Sequence, residues 1–251
     1  MSQRDYFSAC SGQYAAFRPR YPAALFQWLA SATSAHERVW DCACGSGQAS
    51  VDLAGHFREI HATDLSVEQI AHAQAHPGVH YRVGTAEESG LPDASVDLVT
   101  VAQALHWFDL DRFYREATRV ARPGALLAVW CYGICDLPAA AGNAQLQHFY
   151  TKVVGPYWTP ERHLVETGYR TLGMPQPELP AQDFVMRLDW TLEQLLGYVS
   201  SWSATARYTK ERGENPVPLL RSALQPHWGK ATTKRPVEWP LHMRVARLNP
   251  S

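Results

Sequence analysis

The sequence predicts an α/β fold with a doubly wound, mostly parallel sheet, and three observations carry that expectation. A short apolar run, Val39-Trp40, leads through Asp41-Cys42-Ala43-Cys44-Gly45-Ser46-Gly47 into a helical stretch from about 49 to 57. This strand–turn–helix order opens a nucleotide-type site at the end of a first parallel strand. Strand-like and helix-like segments then alternate from 38 to 132, enough for five parallel strands. The stretches Val96–Ala102 and Ala125–Trp130 are almost continuously apolar, as strands covered on both faces are.

Taken in order, Ala24 to Ala35 places Leu25, Trp28, Leu29 and Ala32 at helical spacing ahead of the first strand. Gly45 and Gly47 let the next turn bend tightly and keep side chains out of the way of a ligand. The helix after them aims unpaired N–H groups into that turn. Ile60-His61-Ala62-Thr63-Asp64 reads as a second strand ending in an acid. Ser66-Val67-Glu68-Gln69 is a capping-box pattern, so a helix is expected from there to about Ala75, stopped by Pro77-Gly78. His80–Val83 gives a third strand and Val96–Ala102 the fourth, with Asp97 read as structural. That strand runs out at Gln103-Ala104-Leu105-His106-Trp107-Phe108, at the end where open α/β sheets bind ligands. Asp109 caps a helix over Leu110–Ala121 whose inner face is Phe113, Ala117 and Val120; Arg122-Pro123-Gly124 stops it before a fifth strand, Ala125–Trp130. From 136 to 182 prolines, glycines and aromatics suggest an irregular functional stretch or inserted cap. Beyond it, Phe184–Leu188 alternates like a strand, and Thr191-Leu192-Glu193-Gln194 begins a helix to about Trp202. A proline-interrupted helical stretch covers Val217–Trp228, and a last strand lies near Leu241–Leu248.

The bulk properties are those of a core-burying protein: 251 residues, 46% hydrophobic, with a formal net charge of −1. That balance points to neither nucleic acid nor a membrane surface as partner. No apolar stretch is long enough to span a bilayer, and Met1-Ser2-Gln3-Arg4-Asp5 does not begin a signal peptide. Five cysteines (10, 42, 44, 131 and 135) read as thiols in a reducing cytoplasm. Their spacings fit no common zinc site, so no metal is expected.

Two features narrow the ligand. A dinucleotide loop wants G-x-G-x-x-G, and Ser50 breaks that fingerprint. Asp41 ahead of the glycines discourages a pyrophosphate, while Asp64 is placed for both hydroxyls of a ribose. A ribose, a positive end and no phosphate describe S-adenosylmethionine. The stretch resembles the first motif, D-x-G-x-G-x-G, of the class I (Rossmann-like) S-adenosylmethionine-dependent methyltransferases, here with a methyltransferase type 11 domain. Ala43 stands where the family has its first glycine. The Leu91-Pro92 turn and Arg122-Pro123-Gly124 resemble the family's as well. Tyr14-x-x-Phe17-Arg18-Pro19-x-Tyr21-Pro22 and His106-Trp107 are similar to the branch that includes trans-aconitate methyltransferase.

That resemblance implies a seven-stranded sheet with an antiparallel last strand. It implies cofactor contacts at Asp41, Ala43, Gly45, Gly47, Gln48, Asp64, Leu65 and Gln103, with Ala86 and Glu87 beside the adenine. It also implies that the N-terminal segment, through Tyr14 and Arg18, folds over the methionine end; packing of its rings on the core is the alternative. The expected division is a lid segment at 1–36, a cofactor core at 37–135, a cap at 136–182 and completion of the sheet at 183–251. S-adenosylhomocysteine would be the product, and the protein a monomer or homodimer.

Methyl transfer needs nucleophile and methyl held in line and dry, so no metal cluster or Ser-His-Asp set is required. A phenol, alcohol or amine needs a base, for which His106 is the candidate, with a wall residue that positions the substrate as the equal alternative; a carboxylate arrives ionised and needs none. Trp107, Tyr21, Trp130, Tyr198 and Trp202 are candidate acceptor contacts, with ordinary helix packing the favoured alternative for Tyr198 and Trp202. The leading expectation is O-methylation of a small carboxylic acid. N-, C- or phenol O-methylation is the alternative, with an NAD-dependent oxidoreductase or a non-catalytic cofactor-binding protein more remote.

Overall fold

The computed structural model describes residues 19–249. Helix α1 (Ala23–Ala32) precedes β1 (Arg38–Cys42), followed by α2 (Gln48–Leu53), β2 (Glu59–Asp64), α3 (Val67–Ala71) and β3 (Val79–Val83). Next come β4 (Val96–Ala102), a 3-10 turn (Leu105–Trp107), α4 (Leu110–Val120) and β5 (Ala121–Tyr132). The remainder holds α5 (Ala140–His148), α6 (Arg162–Glu166), β6 (Glu178–Leu179) and β7 (Phe184–Trp190). Helices α7 (Leu192–Ser200), α8 (Ser203–Arg212) and α9 (Val217–Trp228) lead to β8 (Arg235–Arg247).

The strands run in the order β3-β2-β1-β4-β5-β8-β6, with β7 also pairing β8. Pairs among β1 to β5 are parallel, whereas β8 is antiparallel to β5, β6 and β7. Strand β8 serves three partners: residues 241–247 lie on β5, residues 235–241 on β7, and residues 245–246 also on β6. Successive residues feed opposite faces, as the pleat requires. Val39, Leu98 and Trp130 join a core with α1 and the C-terminal helices, while Trp40, Val99 and Val129 join Phe113 and Val120 of α4. Asp97, buried at the foot of β4, accepts from the N–H groups of Glu37 and Arg38 (2.9 Å each) and from Arg122 (2.7 Å).

The structure departs from the sequence expectations at several points, each with a local cause. The sheet has eight strands, because Glu178–Leu179 adds a short edge strand tied to Arg244; Pro177 and Pro180 keep it to two residues. Strand β5 begins directly after α4, so Arg122-Pro123-Gly124 lies within it at a register shift against β4. Helix α3 has the expected Ser66 cap (3.2 Å to Gln69 N) but ends at Ala71, where the chain turns back and Gln74 N–H reaches Ser46 O at 3.1 Å. Segment 136–182 is partly helical, through α5 and α6. Helix α8 went unread because Ser203-Ala204-Thr205-Ala206-Arg207-Tyr208-Thr209-Lys210 shows no apolar stripe. Strand β8 starts at Arg235, earlier than expected, since its first half finds a partner in β7.

Candidate active site

Strand order reverses at β1, which lies between β2 and β4, and ligands of open α/β sheets bind at such a switch point. A cavity of about 240 Å³ opens there at the carboxyl ends of β1, β2 and β4. Its floor is the loop after β1, where Ala43, Gly45 and Gly47 all have left-handed backbone (φ 56°, 56° and 85°). The loop is stapled to β2: Gly45 N–H donates to Asp64 Oδ2 at 2.8 Å, and Cys44 N–H to Thr63 O at 3.0 Å. Asp64 Oδ1 accepts from Ser66 N–H, also at 2.8 Å; burial raises its pKa against those bonds. Gly47 is obligatory in shape, because a Cβ there would overlap the Tyr81 hydroxyl and lie 2.7 Å from Tyr81 Cζ.

Behind the loop, Asp41 is fully buried. Ser50 Oγ donates to its Oδ2 (2.5 Å) and Thr100 Oγ1 to its Oδ1 (2.8 Å). Burial outweighs those bonds and pushes Asp41 up to about 6. Ser50, the residue that breaks the dinucleotide fingerprint, is therefore the clamp on Asp41. On the far wall a tight turn, closed by a bridge between Thr85 and Glu88, presents Ala86 and Glu87; Glu87 Oε1 accepts from Asp109 N–H at 3.3 Å. Gln103 ends β4 with a left-handed backbone (φ 58°), its N–H on Trp130 O and its Nε2 on Tyr132 O, both 2.9 Å. Strained non-glycine residues of this kind gather at functional sites.

Asp41, Ala43, Gly45, Gln48, Asp64, Leu65, Ala86, Glu87 and Gln103 all line the cavity, and so do Tyr21 and Trp107. Gly47 shapes it from behind. Tyr14 and Arg18 lie outside the described residues. Trp130 is fully buried beneath Tyr21, edge-on at 5.5 Å. Tyr198 and Trp202 pack with Trp190, Trp239, Tyr150 and Trp158 rather than on the cavity wall. Large rings at helical spacing are more stable in the core than at a mouth.

His106 stands beside the cavity, stacked at 4.7 Å on Trp107, with Nδ1 2.8 Å from Tyr169 Oη. Burial, and then the charge of Arg162, pushes His106 down to about 4, so it is neutral at physiological pH. Tyr169 follows Gly168, and both have left-handed backbone (φ 61° and 62°). The Arg244 guanidinium holds Tyr169 O and Leu172 O, which fixes that bend. Tyr169 and Arg162 were missed by sequence reasoning: both come from the aperiodic stretch, where no spacing marks them. Ser66 also lines the cavity, and its cap pattern was the one signal that could have placed it there. Burial pushes up the thiols of Cys42, Cys44, Cys131 and Cys135, which keeps them protonated and inert. No helix among the described residues is long and apolar enough to cross a membrane.

Residues 40–129 match the family described as a methyltransferase domain. A Dictyostelium discoideum protein named "Putative methyltransferase" is 33% identical over 224 residues, covering 88% of this chain and 85% of its own. The solved structure of a "Putative Type II Methyltransferase" from Anaeromyxobacter dehalogenans superposes with a TM-score of 0.89 at 44% identity, over 94% of this chain and 100% of that one. A Haemonchus contortus phospholethanolamine N-methyltransferase, solved with S-adenosylhomocysteine, shares the fold at TM-score 0.51 and 15% identity, covering 100% of this chain and 61% of that one.

Proposed function

The chain belongs to the S-adenosylmethionine-dependent methyltransferases, and from that premise we propose that it methylates a small carboxylic acid at oxygen. The cavity fits the cofactor. Its floor is backbone without bulk, its walls carry Asp64 and Glu87, and the Gly45 N–H that a phosphate would want is committed to Asp64. That last bond also disfavours a dinucleotide and the oxidoreductase reading. We assign the ribose hydroxyls to the lone pairs of Asp64 left over by Gly45 and Ser66. The adenine is assigned to Ala86 and Glu87, with Glu87 accepting its amine. Ala43, Gly45, Gln48 and Leu65 line the cofactor's length, with Gln103 and Trp107 at the transfer end. Tyr14 and Arg18 remain proposed for the methionine end on the resemblance alone. Asp41 holds the loop in place from behind.

When bound, the cofactor supplies a methyl group on a sulfonium whose departure leaves a neutral thioether. The chain's own task is positioning and drying, which is worth about 7–11 kcal/mol in well-oriented systems. Tyr21 and Trp107 wall the cavity on the acceptor side. Segment 136–182 is read as the acceptor cap, since it supplies Tyr169 to His106.

The observation that carries the carboxylate reading is the depressed pKa of His106. A group that ionises near 4 is a weak base at neutral pH, far from the matched value that deprotonating a phenol or amine calls for. It serves as a neutral hydrogen-bonding group for an acceptor that arrives already ionised. The four described cysteines are unbridged, which supports a reducing compartment such as the cytoplasm.

A labelled-methyl screen over small carboxylic acids, phenols and amines, with wild type and His106→Ala across pH 5 to 8, tests this. Carboxylic acids are expected to be turned over, with no rise in kcat/KM near the ordinary histidine pKa of about 6.5. Turnover confined to phenols or amines, with a rising limb that His106→Ala removes, would replace this reading with His106 as base.

A further inference from the structure

The proposed acceptor side holds a cation that makes no direct ion pair among the described residues. Arg162 opens α6 and is half-buried. Its guanidinium lies 4.6 Å from the Trp158 ring centre and 5.5 Å from that of Tyr150. Its Nε donates to Tyr150 Oη at 2.7 Å, and that hydroxyl donates onward to Glu166 Oε1 at 2.6 Å. No carboxylate among the described residues is within ion-pair distance of Arg162, and its Nη groups have no hydrogen-bond partner there. Seven other arginines (38, 58, 119, 122, 187, 221 and 244) each meet a carboxylate, whereas Arg162, though half-buried, meets two aromatic rings and a hydroxyl instead.

A second observation lies against it. Trp158 Nε1–H is buried and donates to nothing among the described residues. An unmade bond at a buried donor costs about 1–3 kcal/mol, and a partly desolvated charge without a partner costs more. The Nη groups of Arg162 and the neighbouring Trp158 N–H are donors without an acceptor among the described residues, which suits them to an anion. A guanidinium held over an indole face keeps its Nη fork available to a planar carboxylate.

The place is right as well. Helix α6 packs on β5 and on the 3-10 turn that carries His106 and Trp107, and Cys131 Sγ bonds Val165 O at 3.7 Å. Trp107 in turn lines the cavity. The charge of Arg162 reaches His106 and Tyr169, the pair that stands beside the cavity.

We propose that Arg162, laid on Trp158 and braced by Tyr150, receives the carboxylate of the methyl acceptor and sets the enzyme's preference for acids. This rests on the carboxylic-acid reading above. One carboxylate oxygen takes the guanidinium and the other makes the new C–O bond, while the C–S electron pair returns to sulfur; no proton moves. The ester formed is neutral, so Arg162 grips the product less than the acid and favours its release.

The test uses the best carboxylic acid from the methyl-transfer screen, its primary amide as inhibitor, and S-adenosylmethionine titrated by calorimetry. Arg162→Gln is expected to raise the acid's KM about tenfold or more, with cofactor affinity and amide inhibition unchanged. Trp158→Phe keeps the ring and loses the N–H; a rise of about threefold is expected. Arg162→Lys keeps the charge without the fork and falls between wild type and Arg162→Gln. If Arg162→Gln no longer binds cofactor, Arg162→Lys and Trp158→Phe decide the matter by the same KM readout. Acid turnover with an unchanged KM in these variants overturns the role of Arg162 alone. Failure of wild type to methylate any carboxylic acid overturns the substrate reading and this inference together.

Discussion

The two sides of the cavity are built by different means. On the cofactor side, the main chain does the shaping: three left-handed residues in five positions, a loop N–H on Asp64, and a glycine where no Cβ fits. On the proposed acceptor side, beside the cavity, side chains do it: His106 meets Tyr169 from far along the chain, and Arg162 lies on Trp158. A backbone-built site tolerates few substitutions and holds one ligand shape. A side-chain-built site can be re-cut residue by residue without disturbing the fold.

The contrast breaks most sharply at Gly47. Gly47→Ala combines left-handed strain with overlap onto Tyr81, so a loss of about 2–5 kcal/mol in unfolding free energy is expected, together with loss of cofactor binding. Tyr81→Ala in the same chain should recover part of it, since one of the two causes is removed. Urea unfolding of the single and double variants measures both, and a Gly47→Ala protein as stable as wild type would dissolve the distinction.

Ser50→Ala is next in size. It strips one donor from buried Asp41 at a cost of about 1–3 kcal/mol. The folded-state pKa of Asp41, about 6, is above its unfolded value, so its contribution to stability is present below the unfolded pKa and lost as pH rises through about 6. Losing Ser50 raises that pKa further. The destabilisation should therefore be largest above pH 6 and shrink toward pH 4, which thermal melts across that range would show.

Tyr169→Phe should have the smallest effect. It removes one hydrogen bond to His106, worth about 1 kcal/mol, so the acceptor's KM should rise about fivefold while cofactor affinity stays put. A matching drop in cofactor affinity would mean that the two sides are mechanically one.

The same division explains what could be read from the sequence. Asp41, the two glycines and Asp64 were legible because backbone geometry leaves a local signature: a turn that needs left-handed residues, flanked by strands. Ala43 tested that logic, since it occupies a left-handed position (φ 56°) where the family has glycine, and the loop keeps its course regardless. The five parallel strands were legible from their buried runs. Arg162 and Tyr169 were not, because their partners are set by where α6 docks, and the segment around them has no period. For Trp130, Tyr198 and Trp202 the sequence leaves both readings open, because a large ring near the right strand end looks the same whether it faces a ligand or fills the core; the structure packs all three rings among other aromatics.

Strand β8 carries one further consequence. It follows every other described element in the chain, yet it is inserted between β5 and β6 rather than added at a rim. Until residues 241–247 have been synthesised, the hydrogen-bonding edge of β5 has nothing to pair with. A nascent chain holding a finished cofactor half would thus display a long, apolar, sticky border, the kind that recruits another copy or a chaperone. The half of the enzyme that looks most self-sufficient therefore cannot be safely made without the half that follows it.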